Sequence, residues 1–228
     1  MKAFLHVTLV LFCSRALFAQ QGSFIVEFGD IPARVLPTSY RYLNGEFREG
    51  FLSLPMGRKL KFSMLNYDLY YQHLTFINEK KDTLVIKEDL AVKYAHIGNE
   101  QFYHDVQKGY LKILVTDSLH TLTSHVLLEE GKLPARSKDE GYGGTTNGTS
   151  ATETSSRNQD ISFKRTTSYF LLDQQGAITK CNKSGFLKMF PNKDNLVKSY
   201  IKKENIDFGE EKDNIRLFTH CLSLAPEK

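Results

Sequence analysis

The chain has 228 residues, with 30 Lys and Arg against 26 Asp and Glu, 41% hydrophobic and 25% charged. That near balance produces no broad positive field and argues against a nucleic-acid partner, while the length is enough for one large domain or two small ones. Beyond the N-terminal stretch no segment approaches the ~20 apolar residues of a membrane helix, so the mature chain is expected to carry no transmembrane helix.

In chain order, Lys2 precedes an apolar run from Phe4 to Phe18, interrupted at His6, Thr8 and Ser14-Arg15 and ended by Ala19-Gln20. This is the pattern of a signal peptide, expected over 1–19 with cleavage after Ala19. The mature protein is then exported, to the periplasm, the outer membrane or the cell surface. Loss of Lys2 and Arg15 takes the formal charge from +4 to +2. Cys13 falls inside the signal, behind Val10-Leu11-Phe12, which is not a lipoprotein cleavage box.

From 24 to 133 the pattern is that of a β-rich domain. Lys59 to Ile77 is rich in alternating, β-branched and aromatic residues, with Leu60, Phe62 and Met64 on one face and Lys61 and Ser63 on the other. Further strands are expected at 83–87, 91–96, 101–103, 110–116 and 119–128, separated by turn residues such as Gly98-Asn99 and Lys108-Gly109. Helical spacing is absent. From 134 to 163 a polar Gly/Ser/Thr stretch reads as a linker or loop, the expected first site of proteolysis, because it lacks the apolar surface to offset its ordering entropy.

The region 164–224 reads as a hairpin around Asp173 to Gly176, then three short helices packing on the β-rich domain. Ser184 is the expected cap of the first helix, Asn192 of the second, and Asp207 with Glu210 forms a capping-box spacing before the third. The fold class is therefore α+β. An antiparallel body (sandwich, half-barrel or curved sheet) precedes a hairpin and a helical C-terminal tail.

The run YRYLNGEF, GFLSL and LNYDLYYQHLTF, then KGYLKIL, then TTSYFLLDQQGAITKCNKSGFLKMFPNKDNLVKSYIKKENIDF, resembles a family of uncharacterised exported envelope proteins of Bacteroidota. The resemblance covers roughly 40–224 and departs from the family in the longer polar insert at 141–156. It implies an envelope location in a Gram-negative cell and supplies no catalytic residue. It also gives meaning to Asp82-Thr83-Leu84 and Asp117-Ser118-Leu119, which resemble the O-glycosylation triplet of exported Bacteroidota proteins and make Thr83 and Ser118 candidate modification sites.

Candidate chemistry is sparse. His96 and His104 flank the Gly98-Asn99 turn with Asp105 adjacent, but no HExxH or paired His/Cys spacing accompanies them. His120 and His125 should point to opposite faces of one strand. No GxSxG elbow is present, and Cys181 near His220 lacks a cysteine-protease signature. An exported chain permits a disulfide between Cys181 and Cys221, with two separate buried thiols as the alternative. The lysines of 180–203 outnumber Asp194, and Lys188, Lys193, Lys198, Lys202 and Lys203 are candidate contacts to an anionic surface. No catalytic, cofactor or metal site is expected. The reading is a non-enzymatic accessory or interaction protein of the bacterial envelope, associated with other envelope or outer-membrane proteins. The alternatives are a carbohydrate- or peptide-binding module and a hydrolase without a recognisable motif.

Overall fold

The computed structural model describes residues 23–87, 92–133 and 159–224. The expected signal peptide, with Cys13, and most of the polar segment lie outside the described residues. The elements are β1 (Phe24–Val26), α1 (Pro32–Val35), α2 (Thr38–Arg41), β2 (Arg48–Ser53), β3 (Lys59–Asp68), β4 (His73–Ile77), β5 (Thr83–Val85), β6 (Tyr94–Ile97), β7 (Glu100–Asp105), β8 (Gly109–Thr116), β9 (His120–Lys132), β10 (Ile161–Asp173), β11 (Ile178–Lys180), α3 (Lys183–Met189), α4 (Asp194–Lys203) and α5 (Glu211–Ser223).

All eleven strands form one antiparallel sheet, ordered β1-β10-β9-β8-β7-β6-β2-β3-β4-β5, with β11 also on β10. Two meanders, β2 to β5 and β6 to β10, meet where β2 pairs with β6. The class is α+β as expected, and the body is an open, curled sheet. Curling follows from contacts between strands that are not neighbours. The Tyr67 and Tyr110 rings meet at 5.4 Å, and Tyr70 on the β3–β4 turn reaches Phe163 of β10 at 5.9 Å. Arg165 of β10 donates to the carbonyls of Ser39 and Leu43, and the Leu43 amide bonds the Tyr67 carbonyl at 2.9 Å.

The boundary expected near 133 and 163 is not a seam. β10 pairs with β9 residue for residue from Ile161↔Lys132 to Asp173↔His120, so residues 161–163, read as linker, are strand. A second correction concerns α1 and α2, where no helix was expected. Each is four residues long, too short for a 3.6-residue period to show.

The tail closes one end of the sheet. Phe186, Phe190, Val197, Leu217, Phe218 and Cys221 pack with Leu122, Tyr169 and Leu171 of β9 and β10. Each large apolar side chain so buried contributes ~1.5–3 kcal/mol before entropy is charged against it. Asn214, Leu217, Phe218 and Cys221 form the buried stripe of α5, at the i, i+3, i+4, i+7 spacing of a one-sided helix. Asn214 is fully buried because its Nδ2 donates to the Phe208 and Glu210 carbonyls at 2.9 Å, which ties the α4–α5 link to the helix.

The caps differ from the expected ones. Asn182, not Ser184, caps α3, accepting from the Gly185 amide at 2.8 Å. Asn192 has φ 68° and makes no cap; α4 starts after Lys193 without a side-chain cap. Asp207 accepts from the Gly209 amide at 2.8 Å in the turn before α5 rather than forming a capping box.

Candidate functional site

Two places on the sheet are unfinished by the protein's own packing. The first is the flank formed by β3 and β5. Leu65 to Asp68 of β3 pair with β4 and are buried, whereas no described strand pairs with Lys59 to Met64 on that side. This free half leaves backbone N–H and C=O groups on an edge, the geometry that templates an added strand. Leu60 and Met64 are 39% and 41% exposed, and Leu84 and Val85 on the terminal strand β5 are 41% and 52% exposed. The register shifts between Phe62 (opposite Gly50) and Leu65 (opposite Arg48), so Leu65 rather than Met64 continues the face of Leu60 and Phe62. Lys59 lies over the Phe51 ring at 4.6 Å, and Phe51 stacks on His96 at 4.1 Å across β2 and β6.

The second place is a cleft of about 680 Å³ where the β7–β8 turn faces β9 and β10. Its floor is His125, Leu127, Ser168 and Phe170, and its rim is His104, Lys108 and Gln72. The turn is held by Asp105, whose Oδ1 accepts from the Gln107 and Lys108 amides at 3.0 and 2.8 Å. Gly109 ends the turn at φ +76°, and a Cβ there would come 2.7 Å from the Tyr67 hydroxyl. Only glycine lets the turn close this tightly on Tyr67, which is bonded to Gln72 at 2.9 Å. Lys108 projects its ammonium over the Phe170 ring at 4.8 Å and has no carboxylate partner among the described residues. His125 is 5% exposed, and its Nε2 has no hydrogen-bond partner. Burial, then the Lys108 charge, holds its imidazole below the ordinary histidine range.

A smaller cavity of about 190 Å³ lies on the other side of β9 and β10, lined by Glu100, Lys112, Ser124, Tyr169 and Glu211 among others. Lys112 pairs with Glu100 at 2.6 Å, which leaves Glu211 as the remaining charge in the lining. Burial, reinforced by Glu211 and Glu210, pushes the Tyr169 phenol up to about 12.

The residues singled out in the sequence are scattered. His96 stacks on Phe51, while His104 meets Tyr110 at 4.6 Å on the opposite face. His120 packs on Phe190 at 4.8 Å and His125 lines the cleft, so these two do point apart. Among the described residues no group of three or more His, Cys, Asp or Glu could hold a metal ion. Cys181 and Cys221 share the tail core as free thiols rather than a bridge, and burial pushes both up to about 12. His220 is taken up in stacking on Tyr200 at 3.8 Å. Thr83 is exposed at the start of β5, and Ser118 is exposed in the β8–β9 turn.

Of the five lysines, Lys193 is partly buried and engaged within the fold. Its Nζ donates to the Cys221 and Leu224 carbonyls at 3.2 and 3.0 Å, closing the C-terminal end of α5. Lys198 pairs with Asp194 at 3.3 Å and Lys203 with Glu204 at 3.8 Å. Lys188 and Lys202 are exposed with no ion pair among the described residues. No helix among the described residues is long and apolar enough to cross a membrane.

Sequence reasoning missed Lys108 and Gln72, because they converge with His125 only through the curl of the sheet. Comparison with protein-family models, with curated proteins and with solved structures finds no match to this chain.

Proposed function

We propose that this is an exported, non-enzymatic interaction protein of a bacterial cell envelope, in keeping with the resemblance to Bacteroidota envelope proteins. It acts as an accessory subunit that accepts an extended segment of an outer-membrane or envelope protein along the free half of β3. The observation that carries this reading is the unpaired edge from Lys59 to Met64, bordered by exposed Leu60 and Met64 and continued by exposed Leu84 and Val85 on β5. Added-strand binding draws affinity from main-chain hydrogen bonds and selectivity from alternating side chains. Leu60 and Phe62 on one face with Lys59 and Lys61 on the other call for a segment alternating apolar with acidic or polar residues. The lysines also guard the edge against indiscriminate pairing.

The test is purification from native membranes in mild detergent, comparing the wild type with Leu60→Lys/Met64→Lys and identifying what comes along by mass spectrometry. The wild type should bring an envelope protein that the double variant loses while its Tm stays within about 2 °C, as surface changes do. An unchanged set of companions would overturn the edge-docking reading.

A further inference from the structure

We propose that the cleft between the β7–β8 turn and β9–β10 binds the carboxylate of a small organic acid, with Lys108 as counter-ion and Phe170 and Leu127 as the apolar wall. The inference starts from an imbalance. Lys108 is half-buried over the Phe170 ring and has no ion pair among the described residues. Asp105, the nearest acid in sequence, has its Oδ1 engaged by the turn amides of Gln107 and Lys108. A half-buried ammonium resting on an aromatic face still lacks a compact anion to match it.

The second element is His125. Its imidazole meets the Lys108 backbone, yet its buried Nε2 has no partner, although buried polar groups are nearly always satisfied. Here it sits in the wall of the cleft and beside the unpaired cation. An arriving carboxylate would meet Lys108 and relieve the repulsion that Lys108 exerts on a charged imidazole. His104, Ser168 and Gln72 line the same opening and add polar groups of the kind that orient a ligand. Half of the wall is apolar, which favours an acid with a hydrocarbon or aromatic body over a bare inorganic anion. The turn is preorganised by Asp105 and by the close approach of Gly109 to Tyr67, so little ordering is needed on binding.

The experiment titrates the mature protein with benzoate, benzamide and inorganic phosphate, following histidine ring resonances by NMR. Benzoate is expected to saturate at millimolar concentration and to shift the His104 and His125 signals, with benzamide showing no saturable shift. Lys108→Met should weaken benzoate about tenfold or more, and Lys108→Arg should restore it. Phosphate binding as well as benzoate would narrow the demand to the oxyanion and overturn the apolar-wall part of the assignment. Equal response to benzoate and benzamide, or unchanged benzoate affinity in folded Lys108→Met, would overturn the anion site itself.

Discussion

The helix-covered end of the sheet and the β3–β5 flank are built from the same material and have opposite fates. On β9 and β10, Leu122, Tyr169 and Leu171 are buried because α3 and α5 lie on them. On β3, Leu60 and Met64 have the same apolar character and stay exposed, because β4 stops at Leu65 and no described element covers them. Apolar residues on a strand therefore state a demand for cover without saying whether this chain or another supplies it. In the tail the chain answers its own demand. On the flank it does not.

The contrast is sharpest in stability. Phe218→Ala should cost about 3–5 kcal/mol, a fall of roughly 10 °C in Tm, since the side chain is fully buried among the aromatic rings of the tail. A loss below about 1 kcal/mol would mean that the tail core is far looser than its burial indicates. The same closure should silence the thiols. In the native protein Cys181 and Cys221 should be inert to a thiol reagent at mildly alkaline pH, and denaturation without reductant should release both. A failure to titrate two thiols after denaturation would show a bridge.

Lys193→Met removes both hydrogen bonds that close the end of α5 and should cost about 1 kcal/mol. If Tm does not move, Lys193 is a surface lysine after all.

A smaller effect is expected from His125, which stands between the two regions. Its imidazole lies among Lys108, Asp105, His104 and Phe170, and its pKa is below the ordinary 6.5. Above 6.5 the group is neutral in both states and contributes nothing to the pH dependence. As pH falls through 6.5 the unfolded chain takes up the proton first, so folded stability declines. Thermal melts at about pH 7.5 and about pH 5.5 should therefore diverge more in the wild type than in His125→Gln. Parallel pH dependences would remove His125 as a contributor. Leu60→Ala marks the other extreme, with a change within about 0.5 kcal/mol.

Much of the fold was legible. Alternation and turn residues placed β7, β8 and β9 and the run that holds β3 and β4, without the turn at 69–72 that divides it, and the spacing around Phe218 placed α5. What escaped depends on distant residues. β1 exists because Phe24 to Val26 pair with Phe163 to Ile161, and nothing local in three residues announces that. Asn182 and Ser184 are both good capping residues, and only the path of the chain out of β11 decides between them. Lys193 looked like one lysine among several until α5 brought two carbonyls to it. The candidate sites were less legible for the same reason. The free edge depends on where β4 stops, and the cleft depends on a curl that brings Gln72 to Gly109.

One consequence follows from the pairing at the far ends of β9 and β10. Lys132 faces Ile161 directly, and the Leu133 amide bonds the Asp160 carbonyl at 3.1 Å. The two strand ends are held together by their own hydrogen-bonded gate, which sets no length for the connection between them. Closing a flexible loop costs only ~0.6 kcal/mol more for each doubling of its length. The gate is thus a natural port for cargo. A reporter domain with closely spaced termini, spliced between Leu133 and Asp160, should be carried with little disturbance to either meander.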